Sequence, residues 1–522
     1  MRTSASMINR FLSRQPIMIL AVTLGAFTLR MYGNDDLSLW LDEAYSLWFA
    51  QQSLYDLWTE IPHFETHPPF YYTILKSWLI FGTSEGALRS LSAVVGAITV
   101  PVVYWIGVNV GGEHDRRSVG IIAALVVALS PVLIQYGQEA RPYAALVLAY
   151  ALALAGLSHL IRFPDDACRP WLGVAAHINE PYRPTGPISA VIAWSALTLG
   201  TAAMLWLHYT AIIYVAPLFI SIFLCSVRKS HNKTHLLLNI LIIIAVVILL
   251  CIPLFYFLSL QFHKVISDFW IPDLTSRKVL QSLWYLFGLH APIRLKLIPN
   301  FILAFIAVAG LVRLVKSERR SFAFMLTMAM TLPIALLVGL SEIIRPIFLN
   351  RLLIGVTIPY AVAIAICVTW LTRGGLRASA VALLTALFFL SAVNYFQLRQ
   401  KEPWRDIVAY VADRVGQNDV VLILGGNTAL PFTYYAKERP APMPLKIIPE
   451  PYPAGGRGVV PFTTEHLSEL IATVDKHDQV WLVTRREDLM DPHDLVRHTI
   501  EEGREVILHR NFGYTINVWL YR

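Results

Sequence analysis

Charge is scarce in this 522-residue chain, in which 15% of residues are charged and 56% hydrophobic. A soluble globular protein carries about a quarter charged residues, so an ordinary soluble domain is excluded. Cysteine is scarce too, with four in all. Cys225, Cys251 and Cys367 fall inside apolar runs and Cys168 in a loop, so no disulfide framework is implied. Low-complexity stretches and internal repeats are missing. So is a Gly-rich phosphate fingerprint, because "ILGGNTA" lacks the spacing of a dinucleotide turn. No small-x-small cleavage site follows the basic-flanked apolar core Pro16–Leu29, which therefore reads as a retained first span rather than a signal peptide.

What is present is a succession of apolar runs of about 18–22 residues and a mean hydropathy of +0.54, the pattern of a polytopic α-helical membrane protein. The net charge of +8 forms no stripe suited to nucleic acid. The basic residues flank the apolar runs, and the short loops rich in them are expected to be cytoplasmic. These are Arg2–Arg10–Arg14, Arg116–Arg117, Arg228–Lys229–Lys233, Lys316–Arg319–Arg320 and Arg373–Arg377, with the loop from Arg162 to Gly186 inside by alternation. "HPPFYYTILKSWLIFG" (67–82) is short, contains Lys76 and opens on Pro-Pro. Parity between Arg14 and Arg116 requires it to lie in the outer interface rather than to cross. About eleven spans are expected, the last ending outside near residue 396.

From about Gln397 the texture changes. "DVVLILGG", "QVWLVTR" and "GREVILHRN" are strand-like runs alternating with helical stretches at 405–415 and 493–502. The expected organisation is a membrane domain over 1–396, with outer interfacial helices near 38–82, followed by an extracytoplasmic α/β domain over 397–522.

This topology gathers acids and bases on one side of the bilayer. "LSLWLDEAYSLWFA" (37–50) puts Asp42 and Glu43 on the first outer loop, and "QYGQEARPY" (135–143) puts Glu139 and Arg141 on the second. "WLHYT" (206–210) makes the third, and "SEIIRPIFLNR" (341–351) brings Glu342, Arg345 and Arg351. A carboxylate can take a proton from a hydroxyl nucleophile while cations or a metal stabilise an anionic leaving group. At a membrane face, a phosphate carried on a lipid is the natural leaving group.

Each residue also has a plainer explanation. Asp42 and Glu43 suit the first turn of a helix. Glu139 and Arg141 can pair with each other, and Lys76 can snorkel. His67 can cap a helix instead of holding a metal, His208 sits in a tight turn, and Arg345 and Arg351 can anchor phospholipid headgroups.

"WLDEAYS", "HPPFYYTILKSWLIFG", "GALRSLSAVVGAITVPVVYWIG" and "SPVLIQYGQEARPYAALVLA" together resemble membrane glycosyltransferases of the protein O-mannosyltransferase and aminoarabinose transferase superfamily, the GT-C fold, in its bacterial family-39-like branch. The resemblance is clearest over 36–160, looser at "WLHYTAI" and "FLNRLLIGVTIP", and vague in the C-terminal domain. It implies transfer of a sugar from a polyprenyl-phosphate carrier to an acceptor hydroxyl on the extracytoplasmic face, with inversion, as part of cell-envelope glycosylation. The acceptor class, whether protein, lipid A, glycan or other lipid, stays open.

By this resemblance Asp42 is the general base or a metal-associated residue, with Glu43 beside it, and Glu139 is the acid of the second loop. Arg141 and Tyr143 follow Glu139 in the family's pattern. Arg351 matches a carrier-phosphate position, although Leu352 stands where relatives have tyrosine. Lys76, His208, Tyr209 and Arg345 complete the donor-binding set. A divalent cation, where one is used, falls to Asp42, Glu139 and His67. Two rival functions remain, a flippase or transporter of lipid-linked sugars and a glycan polymerase or ligase. The first calls for midplane charges and related halves.

Overall fold

The computed structural model describes residues 2–169, 185–227, 232–267, 271, 273–290, 297–344, 346–453 and 459–522. They group into two compact units. Met1–Tyr32, Arg89–Leu258 and Ile266–Arg399 make the first, and Gly33–Leu88, Ser259–Val265 and Gln400–Arg522 the second.

The first unit is helical. Among the described residues, eight helices are long and apolar enough to cross a membrane: Glu85–Val110, Tyr143–Arg162, Pro187–Leu207, Lys233–Gln261, Ile298–Val315, Arg320–Ile343, Asn350–Leu371 and Gly374–Leu398. The remaining three expected spans correspond to shorter apolar helices, Gln15–Met31, Arg116–Leu129 and Tyr209–Cys225. The protein is thus a multi-span integral membrane protein. Within Asn350–Leu371 the stretch 352–369 is enclosed throughout, as a helix apolar on every side should be. Gly374–Leu398 instead turns Leu383, Phe389 and Leu390 outward, where lipid can cover them.

Small residues let the helices meet closely. A Cβ on Gly156 would collide with the carbonyl of Ala193, and one on Gly200 would stand 2.6 Å from that of Ala149. Tyr143–Arg162 and Pro187–Leu207 therefore touch backbone to backbone.

The second unit contains a five-stranded mixed sheet of β1 (Val420–Leu424), β2 (Leu445–Ile448), β3 (Val480–Arg485), β4 (Val506–Asn511) and β5 (Ile516–Tyr521), in the order β2-β1-β3-β5-β4. β1 runs parallel to β2 and β3, whereas β5 is antiparallel to β3 and β4. Alternate residues of β1 serve opposite faces. Val421 and Ile423 pack with Trp404, Ile407 and Phe432 of helices Trp404–Ala412 and Gly426–Ala436. Val420, Leu422 and Leu424 pack with Leu470, Val496 and Ile500 of helices Leu467–Asp475 and Leu495–Glu501. Cover on both faces explains why β1 is an unbroken apolar run. The glycine pair of "ILGG" makes the turn out of β1, because Gly425 has φ +86° and donates its N–H to Ile448 O at 2.8 Å.

Residues 33–88 belong to this unit as fully as the sheet does. Tyr435 donates to Glu85 at 2.7 Å, Arg405 pairs with Glu85 at 2.5 Å, and Tyr434 donates to Thr83 O at 2.9 Å. The segment 67–82 forms a nine-residue helix, Phe70–Trp78, and a 3-10 turn, Leu79–Phe81. At about 1.5 Å per residue this helix cannot cross a hydrocarbon core of about 30 Å.

Candidate active site

Asp42 and Glu43 stand in the first turn of helix Leu41–Gln51, in the second unit. Glu43 is completely buried. Its Oε1 accepts from Lys401 Nζ at 3.0 Å and its Oε2 from the Trp40 N–H at 3.4 Å. Asp42 is half-buried. Tyr45, one turn on, has its phenol pushed well above the usual range by burial. The nearby carboxylates of Glu65 and Asp42 add to the effect, against Arg485 and a hydrogen bond with Asn427.

Glu65 also holds His67. The two side chains pair through His67 Nδ1, the His67 N–H donates to Glu65 Oε1 at 3.1 Å, and Tyr72 donates to the same oxygen at 3.3 Å. Lys76, expected at the donor phosphate, donates to the carbonyls of Gln52 (2.7 Å) and Ala50 (3.4 Å) at the end of the Asp42 helix. A cation there complements the helix dipole.

Around this helix Tyr452 packs edge-on against Tyr45 and Trp48, with ring centroids 4.9 and 5.2 Å apart, and against Phe64 at 5.8 Å. Beside these rings lies a cavity of about 650 Å³ lined by Trp48, Gln52, Asp56, Glu60, His63 and Phe64.

In the first unit the hub is Tyr143, which opens helix Tyr143–Arg162. The guanidinium of Arg141 lies 5.9 Å from its ring centroid and that of Arg351 5.7 Å. The rings of Tyr136 and His208 lie 5.3 and 6.1 Å away. Arg351 is carried by the 3-10 turn Asn350–Val356. Tyr214 fixes that turn, donating to Leu352 O at 2.7 Å and accepting the Gly355 N–H at 3.2 Å. His208 Nδ1 accepts from the Thr210 N–H at 3.3 Å, which fastens the turn Tyr209–Ala211 and places Tyr209 next to it.

Glu139 and Arg141 are both buried. Glu139 accepts from Gln135 Nε2 at 3.4 Å, and Gln135 in turn accepts from Tyr285 at 2.7 Å. Gln138 clamps their loop. It donates to Arg30 O (3.2 Å) and Tyr32 O (2.7 Å) and accepts from Tyr395 and Arg399, both at 3.1 Å.

Within the first unit, then, Arg141, Tyr143, His208 and Arg351 come together. In the second, Asp42, Glu43 and Glu65 share one helix and its surroundings. Arg345 lies outside the described residues, as do Arg228, Lys229 and residues 170–184 of the loop after Arg162. Glu65, Gln135, Gln138, Lys401 and Glu402 were not singled out from sequence. The two glutamines stand within the quoted motif "QYGQEARPY", where amides in an apolar stretch are the available signal. Among the described residues no three His, Cys, Asp or Glu side chains gather closely enough to hold a metal ion.

Residues 52–174 match the model of the family described as dolichyl-phosphate-mannose-protein mannosyltransferase. Over nearly the full length of both chains, 98% of each, the fold superposes on ArnT from Cupriavidus metallidurans in the apo state, with a TM-score of 0.63 at 13% identity. The chain has a GT-C fold. ArnT bound to undecaprenyl phosphate is similar as well, with a TM-score of 0.59 at 12% identity and 97% of each chain covered. The archaeal oligosaccharyltransferase AglB from Archaeoglobus fulgidus, in complex with an inhibitory peptide and a dolichol-phosphate, follows. Its TM-score is 0.53 at 13% identity, covering 97% of this chain and 74% of that one. No curated protein sequence matches the chain significantly. The GT-C fold accounts for the helical unit and the small C-terminal sheet together.

Proposed function

We propose that this protein transfers a sugar from a polyprenyl-phosphate carrier to an acceptor hydroxyl, with inversion at the anomeric carbon, at the outer face of a bacterial inner membrane. The observation that carries the reading is the convergence of Arg141 and Arg351 on Tyr143. Two guanidinium groups sharing one ring repel each other, and an anion between them converts the repulsion into attraction. A carrier phosphate is such an anion, and similar structures of ArnT and AglB hold undecaprenyl phosphate and a dolichol-phosphate.

The roles follow from the chemistry. Arg141 and Arg351 stabilise the phosphate as it leaves with the electrons of the anomeric C–O bond. Asp42 takes the proton of the acceptor hydroxyl, which attacks from the opposite side. Glu139 positions substrate from the second loop, and Glu43 orients the helix that carries Asp42. The cavity beside Trp48, with two carboxylates and aromatic walls, suits a hydroxyl-bearing acceptor. Asp42 and the C-terminal sheet face the periplasm in this arrangement.

The test is purified protein with a radiolabelled polyprenyl-phospho-sugar and an envelope fraction as acceptor. Label should pass to the fraction, and Asp42→Asn should abolish that passage while the variant remains folded. Movement of the lipid between leaflets with no transfer would instead identify a flippase. Full activity of Asp42→Asn would remove Asp42 as base.

A further inference from the structure

We infer that Lys401 and Glu402 are positioning residues for Asp42, and that this is the contribution of the sheet-bearing region to the reaction. The inference rests on the reading of Asp42 as general base.

Two consecutive residues hold the helix on both sides of Asp42. Glu402 Oε2 accepts the N–H of Leu41, the residue before it, at 3.0 Å. Lys401 Nζ donates to Glu43, the residue after it, at 3.0 Å. The first turn of a helix has N–H groups with no partner inside the helix. The N-cap residue here, Trp40, makes no side-chain cap of its own. Glu402 supplies the acceptor from 361 residues further along the chain.

Glu402 is itself fixed. Trp404 Nε1 donates to its Oε2 at 2.7 Å, and Arg485 donates to its Oε1 from Nε at 2.9 Å and from Nη2 at 2.7 Å. Trp404 is fully buried against the sheet, and Arg485 is the last residue of β3. Lys401 and Glu43 are largely shielded from water, with side chains 14% and 0% exposed, so their attraction is little screened and holds one geometry. A line of short, directional contacts thus runs from β3 through Glu402 to the backbone of the turn that carries Asp42.

A proton acceptor depends steeply on placement, since a shift of about 1 Å can cost about a hundredfold in rate. Neither Lys401 nor Glu402 need touch substrate to have this effect.

The experiment uses the full-length protein in nanodiscs, with a radiolabelled polyprenyl-phospho-sugar as donor and an envelope fraction as acceptor. The double substitution Glu43→Gln/Lys401→Met removes both charges and leaves neither stranded, and Glu402→Gln weakens the second hold. Both should lower kcat by about ten- to a hundredfold with donor KM within about twofold of wild type. Lys446→Met, which breaks the exposed pair with Glu469, serves as the control and should change neither constant. Wild-type kcat in the two positioning variants, or a loss that appears only in KM, overturns the inference. If the double variant does not fold, Lys401→Arg keeps the charge but alters its reach, and an unchanged kcat there overturns the inference equally. Asp42→Asn is measured alongside. Activity in that variant defeats the base assignment itself, a result distinct from an inactive Asp42→Asn beside fully active positioning variants.

Discussion

The Tyr435 hydroxyl serves two residues of the segment 33–88 at once, accepting the Leu39 N–H at 2.7 Å and donating to Glu85 at 2.7 Å. Replacing it with phenylalanine leaves a buried N–H without its acceptor and takes one donor from Glu85, which keeps Arg405. Tyr435→Phe should destabilise the second unit by about 1–3 kcal/mol. Thermal melting of the purified protein measures this, and an unchanged melting temperature would show the contact to be dispensable.

The guanidinium groups of Arg141 and Arg351 both lie against the Tyr143 ring. Tyr143→Leu keeps the apolar bulk and removes the aromatic face, a loss of about 1–2 kcal/mol of cation–π attraction. Donor KM should rise about five- to thirtyfold by that energy, with a smaller change in kcat. Titration with the polyprenyl-phospho-sugar separates the two constants.

Alkaline pH should weaken the second unit. Burial pushes the phenols of Tyr45, Tyr435 and Tyr452 well above their ordinary range. A raised folded-state value means that the fold favours the neutral phenol. The stabilisation is therefore complete below the unfolded value of about 10 and is lost as pH climbs past it. Melting temperatures from pH 8 to 11 should hold level and then fall, and Tyr452→Phe should soften the fall.

Close helix approach gives a further prediction. With Gly156 against the carbonyl of Ala193, Gly156→Val must push Tyr143–Arg162 away from Pro187–Leu207. The expected loss is about 1–3 kcal/mol, read as a lower melting temperature. Because Tyr143 opens the first of these helices, donor affinity should fall as well.

Much of this architecture is written in local sequence pattern. Apolar runs of spanning length, their basic flanks and the short Pro-Pro-led stretch 67–82 are all properties of neighbouring residues, and so are the strand-like runs of β1, β3 and β4. β2 is four residues with a lysine among them, too short for alternation to show. β5 is legible only as the partner of β3, being one edge of a pairing that local pattern does not specify.

The site divides in the same way. Asp42, Glu139 and Arg141 stand out as candidates because each sits in a short, chemically odd motif. Lys401 and Glu402 could not, because their meaning lies in contacts with Glu43 and Leu41 more than three hundred residues away. Lys76 shows the converse. Its charge was visible, but the carbonyls it serves were not.

The interleaving of 33–88 with 400–522 bears on how such a gene can change. A recombination event that exchanged only the tail would strand Glu43 and Glu85 without Lys401, Arg405 and Tyr435. The two stretches should therefore change as a matched set, with sequence drift at position 43 tolerated only in step with drift at position 401.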